Sequence, residues 1–527
     1  VEILERCSVL RDQREKSNSR KDEPGLNRFK PWHIILLILL IAFLLRIVLI
    51  LEPEVIHSDG AEYIRHAKEV SAGNWMGGAS GPVYPALISL ASFFMKDYEV
   101  AGILVSAILG SLLVLPVFYL GKEIFNEKVG MLSALLSAVH PSLYGFSGSV
   151  LTESTYYFLL TTSVFFGWEA FKKGKVQSVF LFSLFSTLAF LTKPEGVGLI
   201  LIFSVWILLI NPSQGRRPWI KRMGIFILAI FCFLLFSSPY LIALKKELGK
   251  WGISKKASVT IEAFSKEGRG ATVQREAEGV KINVESFFRN PIPLLGKVSL
   301  GFLTSLYKFQ QAFHPILFVL AIFGWIGIFR NRSRSDVKGS FYLFTHHIFF
   351  LGCVLPFFGI NKRYVSQMVA ISLLWAAFGC FEIMGCASRW FKKEGSVKKV
   401  SFILLSLLLC GLFIQGSMRR FHDSRLIQKE AGLWMKEHLT RGTKIMSRMP
   451  QEAFYSELGW TRIPEKNYEE VLETARSLGV RYLVIDENID ELSSGFYEKI
   501  RDKDLVLLKE LKEERQKIAI FEIIYPE

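Results

Sequence analysis

The chain has 527 residues, half of them hydrophobic, with 44 Phe, 11 Trp and a formal net charge of +16. The mean hydropathy is +0.31, and the apolar residues gather into nearly charge-free blocks at 32–51, 101–120, 156–171 and 400–416; this excludes a soluble enzyme, a disordered chain and a repeat solenoid. In a soluble protein an excess of +16 would point to nucleic acid; here it reads as loop asymmetry across a membrane, and no nucleic-acid partner is expected.

The tail 1–32 carries Arg20, Lys21, Arg28 and Lys30 and has no small-residue cleavage site. It predicts a retained anchor whose N-terminus stays in the cytoplasm. From there the hydropathy pattern predicts about eleven spans in a domain covering 33–417, roughly at 33–51, 100–120, 130–147, 154–171, 176–192, 196–210, 223–243, 313–329, 341–358, 364–385 and 400–417. The segments 176–192 and 196–210 read either as a tight hairpin or as one re-entrant element kinked at Pro194. Loops bearing Lys122 and Lys128, Lys172 to Lys175, Arg216 to Arg222, Arg330 to Lys338, and Arg389 to Lys399 all fall on one side. The positive-inside rule makes that side cytoplasmic, and an odd number of spans puts the C-terminus outside. The expected location is a bacterial cytoplasmic (inner) membrane, crossed many times.

Three segments outside are longer than turns. The loop 52–100 contains HSDGAEYIRHAKEV, with Tyr63, Ala67 and Val70 at helical spacing, then the small-residue stretch NWMGGASGP, then VYPALISLASFFM, which reads as a helix lying on the membrane surface. The loop 245–312 is polar at first and amphipathic from Phe287 to Phe309. The segment 418–527 has a soluble α/β pattern, with helices near 424–440 and 468–478 and strands at 444–447, 480–485, 505–508 and 518–523. The six cysteines fall in the N-terminal tail or in spans, so no disulfide framework or CxxC zinc site is available.

Few residues on the outer side carry chemistry. Asp59, in HSDGAEY, and Glu153, at the start of the fourth span, are carboxylates beside hydrocarbon, where a charge is expensive. They either serve an acceptor hydroxyl as base, orienting group or divalent-cation ligands, or they are first-turn acids at helix N-termini. Lys193, Lys362 and Arg363 break the positive-inside pattern. They either bind a lipid phosphate or snorkel to ordinary headgroups. His57, His66, Tyr63 and Tyr84 crowd the same first loop, where His57, Tyr63 and Tyr84 are candidate substrate contacts. No P-loop, HExxH or GxSxG is present. A divalent cofactor is compatible with the two acids but not demanded, and no metal ligand set is assigned.

An Asp shortly after the first span, a Tyr four residues on, a small-residue stretch and GPVYPAL together resemble the first external loop of the polytopic GT-C glycosyltransferases. The match is to the bacterial branch related to protein O-mannosyltransferases and lipid A aminoarabinose transferases (the RgtA/B/C/D-like group). HPSLYGFSGSVLTESTYYFLL, LAFLTKPEGVGLIL and NKRYVSQMVAISLL resemble later family segments in the same order. EEVLETARSLGVRYLVIDE resembles the soluble domain that many members carry outside. The chain departs from the family in Gly60, Ala61 and the single Pro82. The resemblance implies a helical polytopic membrane fold with a small extracytoplasmic α/β domain, and a polyprenyl-phosphate-linked sugar donor. The acceptor would be a lipid, polysaccharide or protein hydroxyl. Asp59 would be the catalytic base, with Glu153 placing the acceptor or the base; Arg363 and Lys193, with neighbouring Lys362, would lie near the donor phosphate, and Tyr364 beside the substrate. A flippase for a polyprenyl-linked sugar is the alternative, but it predicts symmetry-related halves and ionisable residues near the bilayer centre. An external sensor on a large anchor is a third reading. A single cysteine placed at 418–527 in a cysteine-free variant is expected to react with an impermeant maleimide added outside intact cells; protection there breaks the odd-span topology.

Overall fold

The computed structural model describes residues 30–51, 55–211 apart from 77 and 79, 217–255, 291–331, 334–354, 360–391, 400–415 apart from 402 and 413, 426–489 apart from 465 and 466, and 496–525 apart from 497–499, 501, 502, 514 and 515. The expectations for the tail 1–29 and for most of the loop 245–312 fall outside these residues.

Helix α1 (Pro31–Leu51) buries Ile35, Ile38, Ala42, Arg46 and Leu49 and exposes Leu37, Leu40, Leu44 and Val48 on its other face. The first loop holds α2 (Ser58–Ser71) and α3 (Val83–Met95). Next come α4 (Tyr98–Ile124), α5 (Glu127–Val139), the short α6 (Pro141–Phe146), α7 (Glu153–Lys173), α8 (Val176–Thr192), a 3-10 turn at Pro194–Gly196, α9 (Val197–Leu209) and α10 (Trp219–Leu248). Beyond the second loop lie α11 (Pro291–Phe313), α12 (Pro315–Asn331) and α13 (Arg334–His347), which widens into a π-helical Ile348–Val354. Then follow α14 (Lys362–Ser388) and α15 (Ile403–Leu412).

Helices α1, α4, α10 and α14 are long and apolar enough to cross a membrane, and α11 with α12 form a further pair bent by 108°. The chain is an integral multi-pass membrane protein. Side-chain bonds set the directions of the helices. At one end of the bundle Lys172 meets Glu123 at 3.0 Å, and Arg217 donates to the carbonyls of Phe171 and Lys172. Arg222 donates to the carbonyl of Ile207 at 2.7 Å, and Lys338 to that of Asn211 at 2.9 Å. The end of α9 therefore lies with the end of α7, while Lys193, between α8 and α9, lies at the opposite end with Glu153. Of the two sequence readings for 176–210, the hairpin is the one observed. The expected span 130–147 breaks at His140, because Pro141 cannot continue the helix and His140 caps α6.

The centre is α14, buried without interruption from Val365 to Gly379, as befits a helix apolar on every face. It packs on α12 through glycines: a Cβ on Gly379 would lie 1.9 Å from the Leu320 carbonyl oxygen, and one on Gly324 2.2 Å from that of Trp375. Small residues permit this backbone approach. At the bend, the Phe313 and Ala312 carbonyls accept from His140 Nε2 (3.3 Å) and the Ser142 hydroxyl (3.0 Å), and His314 turns the chain at φ 75°. The amphipathic stretch expected at 287–309 thus ends in a helix set at a steep angle to α12.

The C-terminal segment is α/β. It contains α16 (Leu426–His438), β1 (Lys444–Ser447), α17 (Gln451–Ser456), β2 (Gly459–Arg462), α18 (Tyr468–Ser477), β3 (Tyr482–Asp486), β4 (Leu505–Glu513) and β5 (Gln516–Ile523). The sheet order is β2-β1-β3-β5-β4; β1 is parallel to β2 and β3, and β5 is antiparallel to β3 and β4. The sequence reading lacks α17 and β2. The first is too short for a helical period, and the second is a largely exposed edge strand without apolar alternation. Gly379→Val should lower unfolding stability in detergent by about 1–3 kcal/mol, whereas Gly385→Ala, with open space around it, should stay within about 0.5 kcal/mol; equal melting curves would remove the glycine contact as a packing determinant.

Candidate active site

Three helix N-termini meet at the end of the bundle opposite the basic one. Extended His57 caps α2 with its Nδ1 accepting the Asp59 N–H at 3.2 Å, so Asp59 lies in the first turn. Glu153 opens α7. Asn361 Oδ1 accepts the Tyr364 N–H at 3.0 Å and starts α14 at Lys362 and Arg363. Acids are at home in a first turn, but a cation there opposes the helix dipole, so Arg363 needs compensation from elsewhere.

Two acids provide it. Arg363 Nη1 donates to Asp59 Oδ2 at 2.6 Å; Nε and Nη2 donate to Glu153 Oε1 and Oε2 at 2.5 and 3.2 Å. Lys193 Nζ donates to Glu153 Oε1 at 2.7 Å. Its ammonium lies 5.6 Å from the Tyr156 ring centre and 5.8 Å from that of Tyr364, within cation–π range. The Tyr157 hydroxyl donates to the Arg363 carbonyl at 3.0 Å. The Glu153 side chain is 0% exposed, whereas that of Asp59 is 32% exposed. Glu153 is therefore the internal anchor for both cations, and Asp59 is the carboxylate that solvent can reach.

Glycines make the convergence sterically possible. A Cβ on Gly60 would sit 2.8 Å from the Val150 carbonyl oxygen, and one on Gly81 2.2 Å from that of Leu191. The first brings α2 against the segment leading into Glu153; the second brings the small-residue stretch against the residues leading into Lys193. Buried His66 pins that stretch, bonding Ser80 Oγ at 3.1 Å and the Trp75 carbonyl at 3.0 Å. Burial lowers its pKa, which keeps the ring neutral.

The structure brings Asp59, Glu153, Lys193 and Arg363 together, with the Tyr364 ring against Lys193. Tyr63 is buried close by, edge-on to Tyr84 with ring centres 5.5 Å apart. Burial, with the charges of Asp59 and Glu153, raises its phenol well above the ordinary value, so it stays protonated. Tyr84 is placed differently from the sequence expectation: it is wholly buried, and its hydroxyl meets the Gly102 carbonyl at 3.1 Å and Ser106 at 2.9 Å. Lys362 is exposed, with no ion pair among the described residues. His57 is exposed and acts as the α2 cap. Among the described residues no three His, Cys, Asp or Glu side chains converge; the guanidinium itself stands between the two carboxylates.

Sequence reasoning missed Tyr157, whose hydroxyl group leaves no pattern, and Arg46. Arg46 is fully buried in α1 and donates to Ser147 Oγ at 3.0 Å and the Ala138 carbonyl at 3.0 Å. A lone arginine in an uncharged run was its available signal.

Residues 79–242 match the dolichyl-phosphate-mannose-protein mannosyltransferase family. This stretch holds Glu153 and Lys193; Asp59 and Arg363 lie outside it. No curated protein matches the sequence. Among solved structures, the Archaeoglobus fulgidus oligosaccharyltransferase is similar at TM-score 0.60 and 14% identity, over 86% of this chain and 68% of that one. ArnT from Cupriavidus metallidurans, in the apo state, is similar at TM-score 0.58 and 11% identity, over 92% and 97%. These two likenesses establish the fold.

Replacing Glu153 by Leu strands two partly buried cations. The expected loss is about 3–5 kcal/mol of stability, with part regained in Glu153→Leu/Lys193→Met; a single variant that unfolds like wild type would show that the cluster is not a buried ion network.

Proposed function

We propose that this GT-C membrane glycosyltransferase, related by its family match to the protein O-mannosyltransferases, moves a sugar from a polyprenyl-phosphate donor to an acceptor hydroxyl on the extracytoplasmic face. The observation that carries this reading is Arg363 held between an accessible and an inaccessible carboxylate at the mouth of an apolar bundle. Similar structures have been solved with such lipids: ArnT bound to undecaprenyl phosphate, and the archaeal oligosaccharyltransferase AglB with a dolichol-phosphate and an inhibitory peptide.

The four charged side chains sum to zero, and the N-termini of α2, α7 and α14 point at them. That leaves an excess of positive potential suited to a phosphate. A phosphate arriving from the bilayer would compete with Asp59 for Arg363 Nη1. Asp59, paired to a guanidinium, is a poor base; once the phosphate takes that partner, its carboxylate is released for an acceptor O–H. The acceptor oxygen then attacks the anomeric carbon as Asp59 takes its proton. The bond from that carbon to the phosphate oxygen breaks, with inversion, and polyprenyl phosphate leaves. Arg363 and Lys193 stabilise the charge growing on the leaving oxygen. Glu153, committed to both cations, keeps them in place throughout. Tyr364 lines the approach, and the protonated Tyr63 phenol is buried close to the two acids.

The test uses purified protein in liposomes with radiolabelled undecaprenyl-phosphate mannose or glucose and a crude envelope acceptor. Asp59→Asn should lower label transfer by roughly a thousandfold or more while expression and melting stay unchanged. Full transfer by that variant overturns the assigned base, and lipid translocation without transfer favours a flippase.

A further inference from the structure

The C-terminal α/β segment reaches into the first loop through one side chain. Tyr455, on α17, is buried among Ile56, Tyr63, Ile64, Tyr84 and Val150. Its hydroxyl accepts the Ile56 N–H at 2.8 Å and donates to Glu99 Oε1, in the first turn of α4, at 2.9 Å. Ile56 lies in the extended stretch just before α2, so its N–H has no helical carbonyl to bond. The next residue is the α2 cap, and two beyond that is Asp59. One phenol thus ties the backbone that presents Asp59 to the head of a spanning helix.

The other side of Tyr455 is equally constrained. A Cβ on Gly432 would lie 2.5 Å from the Tyr455 Cβ, so α16 presses directly on α17. Lys429 Nζ sits 5.0 Å from the ring centre. The backbone that carries Tyr455 is thus held against α16.

We propose that Tyr455 is a positioning residue for sugar transfer: it fixes the start of α2, and with it Asp59, so that the C-terminal α/β segment completes the active site. This rests on the reading of Asp59 as the base. Tyr455 touches no reacting atom; it removes slack in the carboxylate that must meet both Arg363 and the acceptor oxygen, and small misplacements of such a group lower the rate.

The experiment uses the full chain in liposomes with the same two labelled donors. Tyr455→Phe keeps the buried ring and removes only the hydroxyl. Of the two hydrogen bonds lost, the neutral one from the Ile56 N–H is the one that holds the start of α2; its loss corresponds to about a five- to tenfold lower kcat, with donor KM and binding of undecaprenyl phosphate unchanged. Glu99→Gln, which still offers an acceptor oxygen, should stay within about twofold of wild type. Hydrogen exchange gives a readout independent of activity: in Tyr455→Phe the amides of residues 56–60 should exchange about tenfold faster while those of α7 do not change. Wild-type kcat in a folded Tyr455→Phe protein, or unchanged exchange at 56–60, overturns the proposal. A rate loss that vanishes once normalised to folded protein does so as well. If wild type transfers neither sugar, the functional reading fails separately, and the exchange arm still decides whether Tyr455 holds the segment.

Discussion

The fold at the candidate site is organised around a guanidinium with two carboxylate partners. Arg363 bonds Asp59 on α2 and Glu153 on α7, and Glu153 has no exposed surface. A buried carboxylate without its cations would be severely destabilising, so the three helix starts that bring the charges together have little freedom. The close approaches at Gly60 and Gly81, the burial of α14 on every side and the cap at Asn361 all serve that meeting point.

The same cluster separates the two acids by environment. Glu153 receives bonds from both cations and is sealed from water; Asp59 keeps one of these cations and is partly open. Identical functional groups thereby acquire different capacities, one to hold charge in place and one to exchange partners. The proposed reaction needs that asymmetry, because a phosphate must be able to displace one carboxylate from Arg363 without dismantling the other's pairing.

Much of the architecture was legible in the sequence because it is written in local periodicity. Charge-free runs became helices, and strands β1 and β5 fall where short apolar runs placed them. Asp59, Glu153, Lys193 and Arg363 stood out as charges on the side where few belong. Their pairing did not, since 304 residues separate Asp59 from Arg363 and no local pattern encodes such a distance. Tyr84 looked like a loop residue open to substrate, yet its hydroxyl finds its partners on α4, a choice settled by tertiary packing. Tyr455 lies in a helix too short to announce itself, and its meaning depends on a loop some four hundred residues earlier. The break at His314 was hidden because the residues that satisfy its carbonyls, His140 and Ser142, come from a different part of the chain.

The order of the charged residues along the chain also bears on biogenesis. Glu153 leaves the ribosome 40 residues before Lys193 and 210 before Arg363. During insertion the acid can be neutralised early by the lysine carried on the very next hairpin, long before the arginine exists. Lys193 would then act first as an escort that lets Glu153 settle at the membrane edge, and only later as one half of a pair. Because Arg363 arrives so late, the charge cluster stays incomplete until nearly the whole membrane portion has been made.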